Sequence, residues 1–248
     1  MLPEERLEKI VELVQQRSSV TNLELTQLLD ASESTIRRDI TFLAAEGRIL
    51  KVHGGAMAMA TVMKIRDEDM HSRRGFQAEE KQRIGRYAAE LIGDEDLVFL
   101  DAGSSTEYLI SFLPQTRAIF VTNAVGHATA LAQKGLTVYL LGGRMKSVTE
   151  AIVGSETVLA LNKYNFSKGF FGTNGISPES GLTTPDIDEA AIKEHAAARC
   201  RERYVLCDSS KFGQISPISF ARFKDVRILT DRTPQAYKKY ANIQEVPK

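Results

Sequence analysis

The sequence predicts an α/β protein with a small helical domain at its N-terminus and a larger, mainly parallel α/β domain behind it. Three short amphipathic helical segments and a glycine-containing hairpin lie within the first sixty residues. From about residue 78, short apolar runs alternate with amphipathic segments, which is the pattern of strands and crossover helices in a parallel sheet. We therefore predict domains at residues 1–60 and 78–248, joined by a linker at 61–77.

Composition limits the classes of function. The chain has 248 residues, of which 32 are basic and 32 acidic, so no net charge draws it to nucleic acid. The first sixty residues carry seven basic and nine acidic side chains. This balance excludes a protein that binds nucleic acid through its net charge alone. It is compatible with specific binding through a locally basic surface, which dimerisation would double.

Two helical segments open the chain. The first, residues 3–17, places apolar side chains on one face at helical spacing. The second begins at Thr21 and Glu24, which have the spacing of a capping box, where each side chain bonds the other residue's backbone N–H. A short turn then leads into a third segment.

The third segment, from Ser32 to Gly47, predicts a recognition helix. Ser32 is a good N-cap because its hydroxyl accepts a hydrogen bond from an unpaired first-turn N–H, and glycine at position 47 favours the helix end. The apolar face is formed by Ile36, Ile40 and Leu43. Hydroxyl and guanidinium groups, which bond phosphate oxygens and guanine edges, lie off that face: Ser34, Thr35, Arg37 and Arg38.

A small β wing is predicted after the recognition helix. Two short runs, residues 49–52 and 56–59, flank a Gly-Gly turn. Three short helices and a wing form the winged variant of the helix-turn-helix. We predict that the four polar residues of the recognition helix bind double-stranded DNA, with Lys51 and His53 as wing contacts. For the helix alone, the alternative is an ordinary amphipathic helix with two solvated arginines.

Residues 61–77 predict a linker between the domains. They show no sustained helix or strand period, and their charges are dense and mixed. Arg73 and Arg74 within this stretch could touch DNA, but the composition favours a solvated pair.

Strands and helices alternate through the second domain. The apolar runs predicted as strands are 97–101, 118–122, 137–141, 168–172, 204–208 and 226–230. The amphipathic segments predicted as helices are 78–92, 104–113, 124–133, 149–163 and 186–201. Ligands of such sheets bind at the carboxyl ends of the strands, so the residues that follow each strand are the candidates for function.

Small polar residues follow most of the predicted strands. Turns alone would account for some of them, but so many at one sheet edge favour an anionic, hydroxyl-rich ligand. The segment Gly103–Thr106 follows a strand and opens a helix, which favours phosphate binding over a plain N-cap with a tight turn. Glu189 and Lys193 lie four residues apart on one helix face, which suits either a solvated ion pair or two groups directed into a pocket.

Other chemistry is not indicated. Two cysteines, Cys200 and Cys207, form no disulfide framework and are expected to be structural. The scattered histidines lack metal-ligand spacing, so we predict neither a metal nor a cofactor. No signal peptide or membrane-spanning run is seen, which predicts a cytoplasmic protein.

The quoted motifs resemble a known family. Residues 33–56, ESTIRRDITFLAAEGRILKVHGGA, resemble the DNA-reading helix and wing of the DeoR family of bacterial transcriptional regulators. The second domain is similar to the DeoR effector domain, which shares its fold with ribose-5-phosphate isomerase and glucosamine-6-phosphate deaminase. That similarity runs through DAGSST, VTN, LGGR, FFGTNGI, GLTTPDIDEAAIK and DSSKF, spread over residues 101 to 212.

The resemblance implies a sugar-phosphate site. It implies that the phosphate is held by Gly103, Ser104, Ser105 and Thr106. It implies that the sugar site is lined by Asp101, Thr122, Asn123, Gly142, Gly143, Asn174, Gly175, Thr183, Glu189, Lys193 and Lys211. The related enzymes carry an aspartate where this chain has Asn174, and an amide cannot act as a general acid or base. This departure suits a sensor better than an enzyme.

The resemblance also implies a function. KYNFSKGFFGTNGI and TTPDIDEA look most like the fructose-operon repressors of Gram-positive bacteria. We therefore expect a homodimeric or homotetrameric repressor of a sugar uptake and catabolism operon, released from its operator by a sugar phosphate such as fructose 1-phosphate. The alternatives are a sugar-phosphate isomerase or deaminase fused to a DNA-binding module, and an effector-dependent activator.

Overall fold

The computed structural model describes residues 2–17, 19–52, 54–58 and 74–247. The chain divides into two compact units, Met1–Val62 and Met63–Lys248. Most of the predicted linker falls on residues 59–73, outside the described ranges.

The N-terminal unit combines three helices with a small sheet in its described part. Its elements are α1 (Pro3–Arg17), β1 (Ser19–Thr21), α2 (Asn22–Leu29), α3 (Glu33–Ala45), β2 (Ile49–Val52) and β3 (Gly55–Ala58). The strands are antiparallel in the order β1-β3-β2. The buried core includes Ile10 and Val14 of α1, Leu25 of α2, and Ile36 and Ile40 of α3.

The predicted caps are confirmed. The Thr21 hydroxyl accepts a hydrogen bond from the Glu24 N–H at 3.2 Å, and the Thr21 N–H donates to the Glu24 carboxylate at 2.8 Å. The Ser32 hydroxyl accepts from the Thr35 N–H at 3.2 Å. Helices α2 and α3 therefore begin where the sequence places them.

Strand β1 was not predicted, and it ties the wing to the helices. Val20 pairs with Ala56 in the antiparallel register of β1 and β3. Gly55 is required by this contact, because a Cβ at that position would lie 2.3 Å from the Val20 carbonyl oxygen.

Removing the cap of α2 should weaken the N-terminal unit. We expect Thr21→Ala to cost about 1 kcal/mol, because the first-turn N–H of Glu24 loses its acceptor. Amide hydrogen exchange in α2 measures this loss. Thr129→Ala is the matched control, since the Thr129 hydroxyl lies exposed within a helix and, within the described ranges, donates only to the Val125 carbonyl. Equal effects of the two substitutions would contradict the capping role.

The C-terminal unit is built on a parallel sheet. Its described helices are α4 (Ala78–Glu90), α5 (Ser104–Phe112), α6 (Val125–Gln133), α7 (Ser155–Leu161) and α8 (Ile187–Ala198). The strands are β4 (Leu97–Leu100), β5 (Ile119–Thr122), β6 (Thr137–Leu140), β7 (Arg144–Met145), β8 (Ile152–Val153), β9 (Phe166–Gly172), β10 (Gly175–Ser177), β11 (Gly181–Thr184), β12 (Cys200–Leu206), β13 (Ile218–Ala221), β14 (Arg227–Thr230) and β15 (Ile243–Glu245).

The predicted fold class is confirmed. In the described residues, seven strands pair in parallel in the order β15-β14-β12-β9-β4-β5-β6. Helices α4, α5 and α6 contribute to the core on one face, and α7 and α8 to the core on the other. All seven strands therefore end at the same rim, which gathers the residues that follow them.

Two of the predicted helices are wrong in their bounds. Residues 149–163 do not form one helix, because the backbone of Ile152 bonds Asn123 as a strand does, with the Ile152 N–H donating to the Asn123 carbonyl at 2.6 Å. Helix α7 starts only after Gly154, whose φ of 112° breaks the run. The predicted helix 186–201 ends at Ala198, and Cys200 already pairs with Phe166 in the sheet.

Candidate functional site

A buried ion pair lies at the carboxyl ends of β4 and β9. The Lys193 ammonium contacts the Asp101 carboxylate, and both side chains are almost fully buried. Lys193 also donates to the Gly172 carbonyl at 3.2 Å, and the Gly172 N–H donates to Asp101 at 2.9 Å. Burial raises the pKa of Asp101, against the opposing effect of Lys193. These contacts fix two charged groups at the rim with little access to water.

A second buried carboxylate lies one turn earlier on α8. Glu189 accepts hydrogen bonds from the Thr149 hydroxyl at 2.5 Å and from the Lys146 ammonium at 2.8 Å. Lys146 also pairs with Asp186 at 2.9 Å. The segment that carries β7 and β8 is thus held to the start of α8, beside Lys193. Glu189 and Lys193 are not a solvated pair, which was one of the two interpretations of their spacing.

The predicted phosphate segment forms the start of α5. Gly103 is the N-cap residue, and no side chain among the described residues caps this helix. Ser104 and Ser105 are buried within the first turn. The Thr106 hydroxyl donates to the Asp101 and Gly103 carbonyls at 2.7 and 2.8 Å, so it shapes the loop. Uncapped first-turn N–H groups are suited to an anion.

Asn123 connects three segments of the rim. Its side-chain oxygen accepts from the Ala102 N–H at 3.1 Å, and its amide donates to the Ile152 carbonyl at 3.2 Å. Asn123 therefore holds the phosphate loop next to β8.

Several other predicted ligand residues hold the backbone of the rim. The Thr122 hydroxyl donates to the Leu100 carbonyl at 2.7 Å. The Thr183 hydroxyl accepts from the Ser216 N–H at 2.9 Å, and the half-buried Asn174 donates its N–H to the Thr183 carbonyl at 3.0 Å. Gly175 lies so close to Gln214 that a Cβ would clash with its backbone.

The remaining predicted ligand residues lie in segments that connect strands. Gly142 and Gly143 are exposed between β6 and β7, and Gly143 has a φ of 147°. Lys211 is half-buried after β12, with its ammonium 5.4 Å from the centre of the Phe76 ring. Ligand contact by any of these residues stays a prediction.

Two buried polar groups of the rim were not predicted as site residues. His127 of α6 and Asp208 after β12 are 3% and 1% exposed. Neither ring nitrogen of His127, nor the Oδ2 atom of Asp208, has a hydrogen-bond partner among the described residues. Asp208 could have been predicted from its position directly after a strand. His127 is a lone histidine, and the sequence around it gives no comparable indication.

Arg74 is not the solvated linker residue that we expected. Its guanidinium pairs with Glu107 at 2.8 Å and with Glu150 at 3.6 Å, and its carbonyl accepts a hydrogen bond from the Tyr108 hydroxyl at 3.1 Å. Arg74 therefore lies against α5 and the segment before β8. Arg73 lies outside the described residues.

Both cysteines are free and buried. Burial raises the pKa of the Cys200 thiol to about 12 and that of Cys207 well above its ordinary value. Thiols that stay protonated are poor nucleophiles and metal ligands. Within the described ranges, no group of three or more His, Cys, Asp or Glu side chains is placed to hold a metal ion.

The proposed DNA-reading residues occupy the start of α3 and the wing. Ser34, Arg37 and Arg38 are exposed, and Thr35 is half-buried. Arg37 pairs with Glu33 at 2.7 Å on the helix surface. Lys51 on the wing donates to the Thr41 hydroxyl of α3 at 2.9 Å, so wing and helix share one surface. His53 lies outside the described residues.

Acidification should destabilise the ligand-free C-terminal unit through His127. Its folded pKa is lowered from 6.5 to about 4, mainly because burial disfavours the charged ring. The unfolded chain therefore binds a proton between pH 6.5 and 4 that the folded chain does not, and stability falls as the pH falls. We expect a loss of about 2 kcal/mol between pH 7 and 5, measured by urea unfolding. His127→Gln should flatten this part of the profile, and an unchanged profile would contradict the assignment.

The two units together define a class of protein, the transcription regulators that carry a DNA-binding unit and a sensor unit in one chain. Comparison with family models agrees with this class. The DeoR-like helix-turn-helix domain matches residues 6–62, and the DeoR C terminal sensor domain matches residues 76–232.

Two relatives agree with the family models. The chain is similar to the uncharacterized HTH-type transcriptional regulator FruR of Bacillus subtilis (strain 168), with 41% identity over 231 residues, 93% of this chain and 91% of FruR. It is 35% identical over 253 residues to the lactose phosphotransferase system repressor of Streptococcus mutans, covering 98% and 99% of the two chains. Among solved structures, ribose 5-phosphate isomerase A of Methanocaldococcus jannaschii aligns with a TM-score of 0.42 and 15% identity over 54% of each chain.

The chain belongs to the DeoR family of transcriptional regulators. The resemblance found in the sequence is thereby confirmed. No helix in the part of the chain that the structure describes is both long and apolar enough to cross a lipid bilayer.

Proposed function

We propose that the chain is a homo-oligomeric repressor of a sugar uptake and catabolism operon, released from its operator by a sugar phosphate, with fructose 1-phosphate as the preferred effector. The observation that carries this proposal is the rim of the parallel sheet. There the uncapped start of α5 meets the buried Asp101, Lys193 and Glu189. An anion-binding helix start beside buried polar groups suits a phosphate attached to a hydroxyl-rich body.

The higher identity to FruR supports fructose as the sugar. FruR and the lactose phosphotransferase system repressor are both regulators by name, and FruR is the more similar of the two to this chain. Asn174 supports binding without turnover, because its amide cannot take the general acid or base role that an aspartate could. An oligomer is proposed because a two-fold arrangement of winged units matches two operator half-sites.

Effector binding is tested by thermal unfolding of the full chain with a panel of sugar phosphates. Fructose 1-phosphate, fructose 6-phosphate, fructose 1,6-bisphosphate, tagatose 6-phosphate, hexitol phosphates and inorganic phosphate are compared. A ligand at a hundred times its dissociation constant should stabilise the folded chain by about 2.7 kcal/mol. We expect fructose 1-phosphate to raise the unfolding temperature most. If another sugar phosphate raises it more, the proposed effector is wrong.

The sign of the response is tested on DNA. Duplexes selected from a random pool by the wild-type chain should be released when fructose 1-phosphate is added, because the effector can act only through different affinities for the two states. Tighter DNA binding in the presence of the effector would favour an effector-dependent activator. Robust turnover of any sugar phosphate in the panel would favour a sugar-phosphate isomerase or deaminase fused to a DNA-binding module.

A further inference from the structure

We infer that His127 is a phosphate-binding residue of the sensor unit, which takes up a proton when the phosphate group of the effector binds. This inference rests on the proposed function and adds a residue and a proton to it. It assigns a role to a side chain that neither the motifs nor the comparisons mark.

The first argument is an unexplained buried polar group. His127 is 3% exposed in the first turn of α6, and neither ring nitrogen has a hydrogen-bond partner among the described residues. Leaving a buried polar group unbonded is costly, and native proteins rarely do so without a reason. The ring lies by the backbone of Gly103, the N-cap residue of α5, close enough for that backbone to favour the protonated ring but without a well-formed hydrogen bond. A bound anion at that loop would supply the missing partner.

The second argument is the convergence of two helix starts. Strands β4 and β5 are adjacent and parallel, and each leads into the helix that follows it, α5 and α6. No side chain in the described part of the protein makes a cap bond at the first turn of either helix. In contrast, the start of α8 is capped by the Asp186 carboxylate. Two sets of unpaired N–H groups at neighbouring positions of one rim favour an anion, and the His127 ring lies at this position.

The surrounding charges explain why the ring is neutral before the anion arrives. Burial disfavours the protonated ring most strongly, the Gly103 backbone opposes this effect, and Arg74 is the charged group among the described residues that adds to it. The carboxylates of Glu107 and Glu150 are engaged with Arg74, and that of Glu150 also lies against Gly126. Burial is the main cause that lowers the pKa of His127 to about 4.

A phosphate dianion would reverse this balance. A phosphate monoester has a second pKa of about 6, so the effector arrives mostly as the dianion at pH 7. An opposite charge in contact with the ring favours imidazolium. The proton comes from solvent, so the complex holds one more proton than the free protein and ligand.

Calorimetry of the full chain tests this directly. Fructose 1-phosphate and, separately, inorganic phosphate are titrated at pH 7 in two buffers with different ionisation enthalpies. We expect net uptake of more than half a proton per site, and a dissociation constant that rises up to tenfold per pH unit above pH 7 while the complex remains protonated. Binding without proton uptake would overturn the inference.

Variants separate binding from folding. His127→Gln keeps a donor but cannot titrate, so proton uptake should vanish and affinity should fall about tenfold. His127→Leu should lose more affinity. His195→Gln is the matched control, because His195 is exposed on α8 and its ring contacts only the Ala191 carbonyl among the described residues; it should bind as wild type. A purely structural role would change stability without changing the protons taken up per ligand bound.

The outcomes distinguish this inference from the function beneath it. If the wild-type chain binds no sugar phosphate, the proposed function fails and the inference with it. If the wild type binds without proton uptake and His127→Leu has the same dissociation constant, only the inference fails. If both His127 variants do not fold, ring NMR of the wild type decides: the chain has four histidines, and effector should raise the titration midpoint of His127.

Discussion

Replacing Asp101 with asparagine should destabilise the C-terminal unit by about 3–5 kcal/mol. The substitution leaves the Lys193 ammonium buried without its negative partner, facing neutral groups such as the Gly172 carbonyl at 3.2 Å. Removing one member of a buried pair is far more costly than removing both, because the remaining charge cannot reach water. The carboxylate also accepts the Gly172 N–H at 2.9 Å, so a charge-assisted hydrogen bond to the loop after β9 is weakened as well.

Urea unfolding followed by tyrosine fluorescence measures this effect in the intact chain. All seven tyrosines lie beyond residue 62, and the chain has no tryptophan, so the signal reports on the C-terminal unit alone. Asp101→Asn combined with Lys193→Met should recover much of the loss. Asp188→Asn is the control, because its pair with Arg144 is solvent-exposed and worth about 1 kcal/mol or less. If Asp101→Asn is as stable as the wild type, Asp101 and Lys193 do not form a buried pair of opposite charges.

Replacing Arg37 and Arg38 together by alanine should lower operator affinity by about thirtyfold or more. Each arginine that reads a base contributes about 1–3 kcal/mol, and both side chains are exposed on α3. The pair between Arg37 and Glu33 does not prevent this role, since exposed helix pairs are worth only about 0.3–0.5 kcal/mol. Glu33→Gln should therefore leave affinity unchanged or raise it.

Fluorescence anisotropy with duplexes selected by the wild-type chain measures this effect, over a range of salt concentrations. An arginine that contacts phosphate weakens all sequences and reduces the salt slope by about one, while a base-reading arginine relaxes specificity at one position. Arg117→Ala is the matched control, because it removes an exposed arginine from the other unit. Unchanged affinity in the double variant would mean that α3 does not read the operator.

Local patterns predicted most of the fold because its elements are long and strongly patterned. Helix caps and apolar periods placed α2, α3 and the main parallel strands. Two-residue strands such as β7 and β8 carry no period, so β7 was not predicted and β8 was merged into a helix. Strand β1 has three residues and is fixed by its pairing with β3, which is a tertiary contact.

The site was predictable in part for the same reason. Asp101, Glu189 and Lys193 stand in recognisable motifs, and the structure brings Lys193 into contact with Asp101. The hydroxyls of Thr106 and Thr122 looked equally suited to a ligand, but they bond backbone carbonyls. Which hydroxyl faces a ligand depends on loop geometry that side-chain type does not encode. His127 was passed over because its place beside Gly103 depends on the pairing of β4 with β5.

The position of β9 between β4 and β12 has a consequence for the newly made chain. The strands β4, β5 and β6 emerge from the ribosome first and can pair with one another, but one edge of β4 stays open until residues 166–172 arrive. The buried ion pair of Asp101 can form only after Lys193 on α8 has also been synthesised. The winged unit ends its last described strand at residue 58, more than a hundred residues earlier. Domains fold as units during synthesis, so the winged unit of a nascent chain can complete its fold well before the sensor unit can.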